Sequence, residues 1–227
     1  MNRKQFVKIF QLFVVLVFSV FAGSCENDGD FSTDTFTDPR DGNVYKTVKI
    51  GAQVWMAENL RYIPSVVGPI RGSSSTLCYY VYGYDGTNVT EAKATANYQT
   101  YGVLYNWVAA KAACPAGWHL PTDEEWTQLT DYLGDSNAGG KLKETGTKNW
   151  NSPNTGATNI TRFTALPGGG RFSTFSFNYL GDMGFWWTAS QDGTGLYYYR
   201  YMQQNAKNVL RGYVTMDAGF SVRCVKD

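Results

Sequence analysis

Helical periodicity is confined to two short stretches of this 227-residue chain, residues 101–113 and 122–134, which leaves most of the sequence to strands and loops. The second stretch is the sharper. Thr122 followed three positions on by Glu125 is a capping box: the hydroxyl accepts from the helix backbone while the carboxylate reaches back to the cap. Trp126, Leu129, Tyr132 and Leu133 then share one face, and Gly134 stands where a helix C-cap belongs. In the first stretch Val103, Leu104, Trp107, Val108 and Lys111 recur near the helical repeat among alanines, and Pro115 and Gly117 stop it.

Elsewhere the period is two. Residues 44–50 alternate apolar and polar side chains, Gly51-Ala52 can reverse the chain, and residues 53–56 form the second arm of a hairpin. Residues 77–84 are an aromatic strand-like run, and further runs fall at 184–189, 196–202, 208–215 and 220–225. Residues 64–76, the Gly139-Gly140 region, 149–158 and 167–171 read as loops. No internal period marks a solenoid or propeller. The expectation is one α+β domain, two helices packed on an irregular antiparallel sheet with long loops.

The opening residues carry an address. Arg3, Lys4 and Lys8 precede an apolar run from Leu12 to Phe21, and Ala22, Gly23 and Ser24 lead to Cys25. A run of about ten apolar residues is a signal-peptide core, since crossing a bilayer takes roughly twenty. The expected organisation is a signal peptide at 1–24, an acidic tether at 25–37 and a domain at 38–227. The small residues before Cys25 resemble a bacterial lipobox, which implies acylation at Cys25 and attachment to the membrane through a lipid anchor. The acidic residues after it resemble the export signal that carries Bacteroidetes-type lipoproteins to the outer face of the outer membrane. Plain secretion, and a tether with no sorting role, are the alternatives.

Charge narrows the partners. Cleavage before Cys25 removes three basic residues and no acidic one, so 20 Lys and Arg fall to 17 against 19 Asp and Glu, a net of −2. That balance excludes the basic face of a nucleic-acid binder.

Eight segments in a fixed order carry a family resemblance: DPRDGNVYKTVKIGAQVWMAENL (38–60), YGVLYNWVAA (101–110), CPAGWHLPTDEEWTQL (114–129), GGKLKETG (139–146), NTGATN (154–159), ALPGGGR (165–171), FWWTAS (185–190) and SVRCVKD (221–227). Together they resemble the Fibrobacter succinogenes major paralogous domain, a family of secreted and lipoprotein domains. The resemblance implies a C-type-lectin-like fold, which formylglycine-generating enzymes share. It supplies no catalytic residues and no ligand. It also implies a Cys114–Cys224 disulfide, joining the segment after the first helix to the last strand. Cys78 is then left over, and its expected role is that of a small buried hydrophobe.

No catalytic constellation, metal site or cofactor motif is expected. His119, the single histidine, has no ligand partners at metal spacing, and its place before the helix cap argues a structural role. Asp123, Glu124 and Glu125 occupy the first helical turn, where carboxylates oppose the helix dipole. Ser152-Pro153-Asn154 and Trp187-Thr188-Ala189 lack the carboxylates that calcium-dependent sugar binding needs. Cys78, Cys114 and Cys224 do not reproduce the cysteine pair of the formylglycine-generating enzymes.

The aromatic residues of the last quarter are the remaining candidates. Trp186, Trp187, Tyr197, Tyr199 and Tyr201 either fill the core or present a face that stacks on sugars or anchors a protein. The expectation is a lipid-anchored, surface-exposed, non-catalytic binding or adhesion module for a glycan or a protein. The alternative is an enzyme of unrecognised chemistry, distantly related to the formylglycine-generating type.

Overall fold

The computed structural model describes residues 31–227; the signal segment, Cys25 and the first half of the tether lie outside the described residues. The second half of the tether is a strand. β1 (Thr33–Thr37) pairs antiparallel with β2 (Val44–Ile50), Thr35 opposite Lys46, and its alternation is disguised by threonines on the solvent side. β2 turns at Gly51-Ala52 into β3 (Gln53–Met56), as the hairpin pattern required. The aromatic run at 77–84 contributes only β4 (Tyr79–Tyr80), which pairs with β5 (Leu104–Tyr105).

The stretch at 101–113 is not one helix. α1 (Val89–Ala94) and α2 (Ala96–Tyr101) precede it, capped by the side chains of Asn88 and Thr95. Gly102 then stops the chain at φ 76°, where a Cβ would stand 2.8 Å from the Leu60 carbonyl. Residues 103–105 become extended, and Tyr105 bridges Phe220. α3 (Trp107–Lys111) starts only at Asn106, whose Oδ1 accepts from Ala109 N at 3.1 Å and from Cys78 N at 2.9 Å. The apolar spacing was real, but a bridge to the remote Phe220 claims its first turn.

β6 (Trp118–His119) leads into α4 (Asp123–Leu133), whose capping box forms as the sequence requires and which ends at Gly134, φ 79°. The glycine pair expected in a loop sits instead in α5 (Ala138–Leu142). A Cβ on Gly139 would stand 2.4 Å from the Asn208 carbonyl, and one on Gly140 equally close to that of Gly156, so only glycine lets these backbones meet. The remaining strands are β7 (Gly168–Arg171), β8 (Phe177–Leu180), β9 (Met183–Gln191), β10 (Tyr197–Gln203), β11 (Leu210–Val214) and β12 (Val225–Lys226).

Two five-stranded sheets result, in the orders β1-β2-β3-β12-β6 and β11-β10-β9-β7-β8. The segment before β12, expected as a strand from 220, threads between them instead. Ser221 bridges Trp186 and Gly219 bridges Arg171, while Val222 O and Cys224 O accept from Leu60 N and Met56 N. Cys224 is bonded to Cys114, and Cys78 is buried and free.

Buried apolar side chains gather on both faces of the β9–β10 sheet. Trp126, Leu129 and Leu133 of α4 pack on Trp55, Phe163 and Trp186, with Trp55 and Trp126 ring centroids 4.9 Å apart. The other face meets Tyr105, Ala109, Trp187 and Phe220. Such aromatic pairs contribute about 0.5–1.5 kcal/mol each beyond area burial.

Two buried cations tie loops into this core. Lys143 donates to the carbonyls of Thr155, Gln203 and Ala206 at 3.1, 3.0 and 2.8 Å. Arg223 donates to the Phe163 and Thr164 carbonyls and, at 3.0 Å, to Asn59 Oδ1, which also accepts from Trp186 Nε1 at 2.9 Å.

Candidate functional site

The pleat of β10 decides which late aromatics reach solvent. Successive side chains alternate, so Tyr198, Arg200 and Met202 face α4, while Tyr197, Tyr199 and Tyr201 face away from it. On the α4 side, Arg200 donates to Asp123 Oδ1 and Thr127 Oγ1, both at 2.8 Å, and Arg211 donates to Asp123 Oδ2 at 3.0 Å. Asp123 therefore anchors the sheet to the helix, and Glu125 closes the capping box. The acidic first turn is structural.

Three of the five expected contact residues belong to the core. Trp186 and Trp187 are adjacent on β9 and point to opposite faces, and both faces are covered, so both rings are fully buried. Trp187 Nε1 donates to Tyr105 O at 2.6 Å. Tyr197 is 6% exposed and packs on Trp107 at 4.1 Å between centroids. The reading of these three as ligand contacts is therefore corrected: a sheet packed on both sides leaves their rings no free surface.

Tyr199 and Tyr201 are half-buried and close together, with centroids 5.8 Å apart. Phe185 lies 5.9 Å from each and Phe220 4.8 Å from Tyr199. Gly212 stands opposite Tyr199 on β11, and a Cβ there would meet the phenol ring at 2.5 Å, so the ring lies flat across the bare backbone. Burial pushes the Tyr199 phenol up, with Tyr201 and Tyr179 adding to the shift, so the hydroxyl stays protonated and able to donate.

The β7–β8 hairpin brings further rings that periodicity did not flag. Tyr179 is 48% exposed and packs edge-on against Phe172 at 5.5 Å, with Phe185 at 6.0 Å. Phe175, at the hairpin tip, is 50% exposed. Both have positive φ, 67° and 60°, a conformation that bulky side chains rarely adopt. Held strain of this kind clusters at functional positions. Tyr179, Tyr199 and Tyr201 thus rim an aromatic platform whose floor is Phe172, Phe185 and Phe220.

The single histidine is engaged on both ring nitrogens. His119 Nδ1 lies 2.7 Å from Asp227 Oδ1, and Nε2 lies 2.7 Å from Glu125 Oε1. Burial alone would lower its pKa, but the two carboxylates outweigh it and raise it, and the ring clamps β6 to the α4 cap and to Asp227. Both partners were invisible in sequence, one being 108 positions away. No group of three or more His, Cys, Asp or Glu side chains suited to a metal occurs among the described residues.

The architecture and platform define a disulfide-stapled α+β domain with an aromatic surface. More particularly, residues 48–226 match the model of the Fibrobacter succinogenes major domain, and the chain belongs to that family. Neither the curated proteins nor the solved structures contain a match.

Proposed function

We propose that this chain is a lipid-anchored, surface-exposed binding module, with a C-type-lectin-like fold, that captures a glycan or a protein on the Tyr179–Tyr199–Tyr201 platform. The observation that carries the reading is the platform itself: the half-buried rings of Tyr199 and Tyr201, seated on a packed floor and joined by an exposed, strained Tyr179, are preorganised for stacking. The sequence around Cys25 supports the anchor, and no helix among the described residues is long and apolar enough to cross a membrane. The enzymatic alternative draws no support from Cys78, which is buried, or from His119, whose two nitrogens are both engaged.

Alanine at Tyr199 or Tyr201 is expected to weaken capture on a glycan array or in a surface pulldown by about 1–3 kcal/mol, with the fold retained. Trp186→Ala and Trp187→Ala are expected to cost stability instead, on the order of 3–5 kcal/mol. Thermal melting separates the two groups. Tyrosine variants that melt as early as the tryptophan variants would place the platform in the core and end this reading.

For the anchor, Cys25→Ala is expected to move the protein from the membrane fraction to the soluble or unprocessed fractions. Protease treatment of intact cells should remove the domain. A mature wild-type protein with a free Cys25 thiol, detected by mass spectrometry, would refute the lipid attachment.

A further inference from the structure

A groove of about 640 Å³ runs between β1 and residues 159–164, within the size range of ligand sites. Thr33, Asp34 and Thr35 of β1 and Lys46 of β2 form one side; Asn159, Arg162 and Thr164 form the other. All three residues of that second wall hold left-handed backbone, at φ 47°, 59° and 54°. Asparagine tolerates this region, but arginine does so poorly and a β-branched threonine worse. Three such residues within six positions, all facing one concavity, mark a wall whose shape is imposed from elsewhere.

What imposes it is visible. The Asn159 amide brackets Thr164, accepting from its N–H at 2.8 Å and donating to its hydroxyl at 3.0 Å. From beneath, fully buried Arg223 donates to the carbonyls of Phe163 and Thr164, with no salt-bridge partner among the described residues. Phe163 packs edge-on against both Trp55 and Trp126. The loop is pinned on its inner side while Arg162 is exposed on the outer one.

The lining chemistry selects the ligand. Neither the Arg162 guanidinium nor the Lys46 ammonium forms a salt bridge among the described residues; the Asp34 carboxylate is turned to the opposite face of β1, where it accepts from Thr35 N, and that of Glu58 is engaged by Lys46 N and Arg61. The surplus is positive and favours an anion. Among the described residues no aromatic ring lines the groove, so recognition falls to hydrogen bonds and charge. The Thr33 and Thr35 hydroxyls suit a ligand rich in hydroxyl groups. We infer that this groove is a second ligand site, separate from the aromatic platform, and that it takes a carboxylate-bearing oligosaccharide.

Calorimetric titration of the purified full-length protein with oligogalacturonate and oligomannuronate tests this, with the methyl-esterified oligosaccharides as neutral controls. At least one acidic form should bind, more weakly as salt rises, and its ester about tenfold more weakly or not at all, the effect of losing one charge-assisted hydrogen bond. Lys46→Gln and Arg162→Asn should each weaken binding by about tenfold. Asparagine suits positive φ, so Arg162→Asn should also hold the melting temperature or raise it by about 2–4 °C. Tyr199→Ala should leave uronate binding unchanged, which separates this site from the platform. The inference is overturned if neither acidic oligosaccharide binds, if the esters bind equally, or if both cation variants keep full affinity. A polyglutamate peptide binding as tightly would reassign the groove to an acidic protein segment.

Discussion

Replacing Cys114 and Cys224 together by serine is expected to lower stability by about 5 kcal/mol in the chain-entropy model and the melting temperature by roughly 10–20 °C. The bond closes a sequence separation of 110 residues, so its loss releases much unfolded-state freedom. The native side compounds this. Cys224 is fully buried and lies one residue before β12, where Val225 pairs with Trp55 on one side and His119 on the other. Loosening it frees the strand that joins β3 to β6. Melting the wild-type protein in reductant should reproduce the double variant, while Cys78→Ser, already free of any bond, should show the same dependence on reductant as wild type. A wild-type melting temperature indifferent to reductant would contradict the staple.

Lys143→Met is expected to cost about 3 kcal/mol, because three carbonyls are left without their charged donor. The same residue gives stability a signature in pH. Burial pulls its pKa down to about 8, so near neutrality it keeps its proton and all three N–H groups can donate. In the unfolded chain the ammonium persists to about pH 10.4. Between those values the unfolded chain binds more protons, so stability should rise with pH from about 8 to about 10. Above that the sign reverses. Burial raises the phenol pKa values of Tyr45 and Tyr105, so the unfolded chain loses those protons first and stability falls. Urea midpoints across this range should show the rise in wild type and a flattened profile in Lys143→Met. An unchanged rise in the variant would assign it to another group.

What was legible in the sequence was what depends on near neighbours. The α4 capping box and its Gly134 stop need only adjacent residues, and they stand as read. The β2–β3 hairpin was likewise written in alternation and a glycine turn. Long-range partners were not. The helical spacing at 101–113 yields to Phe220, more than a hundred positions away, which draws Tyr105 into a strand. Lys143 reads as an ordinary surface lysine until residues 155, 203 and 206 fold over it. Of the candidate contacts, alternation placed Tyr199 and Tyr201 together but could not tell that both faces of β9 are covered, which removes Trp186 and Trp187. Tyr179 was not legible because nothing in a sequence announces a positive φ at a tyrosine.

The covalent link has a consequence for wear. The bend-rich segment from 143 to 167 and the turn at 192–196 both fall between Cys114 and Cys224. A protease that cuts either one therefore nicks the molecule without releasing a piece of it. The carboxy-terminal fragment remains tied through sulfur and also keeps its last strand zipped between two strands of the other fragment. A nicked molecule would run as one band under oxidising conditions and as two after reduction, and it could go on serving between cuts as a single body.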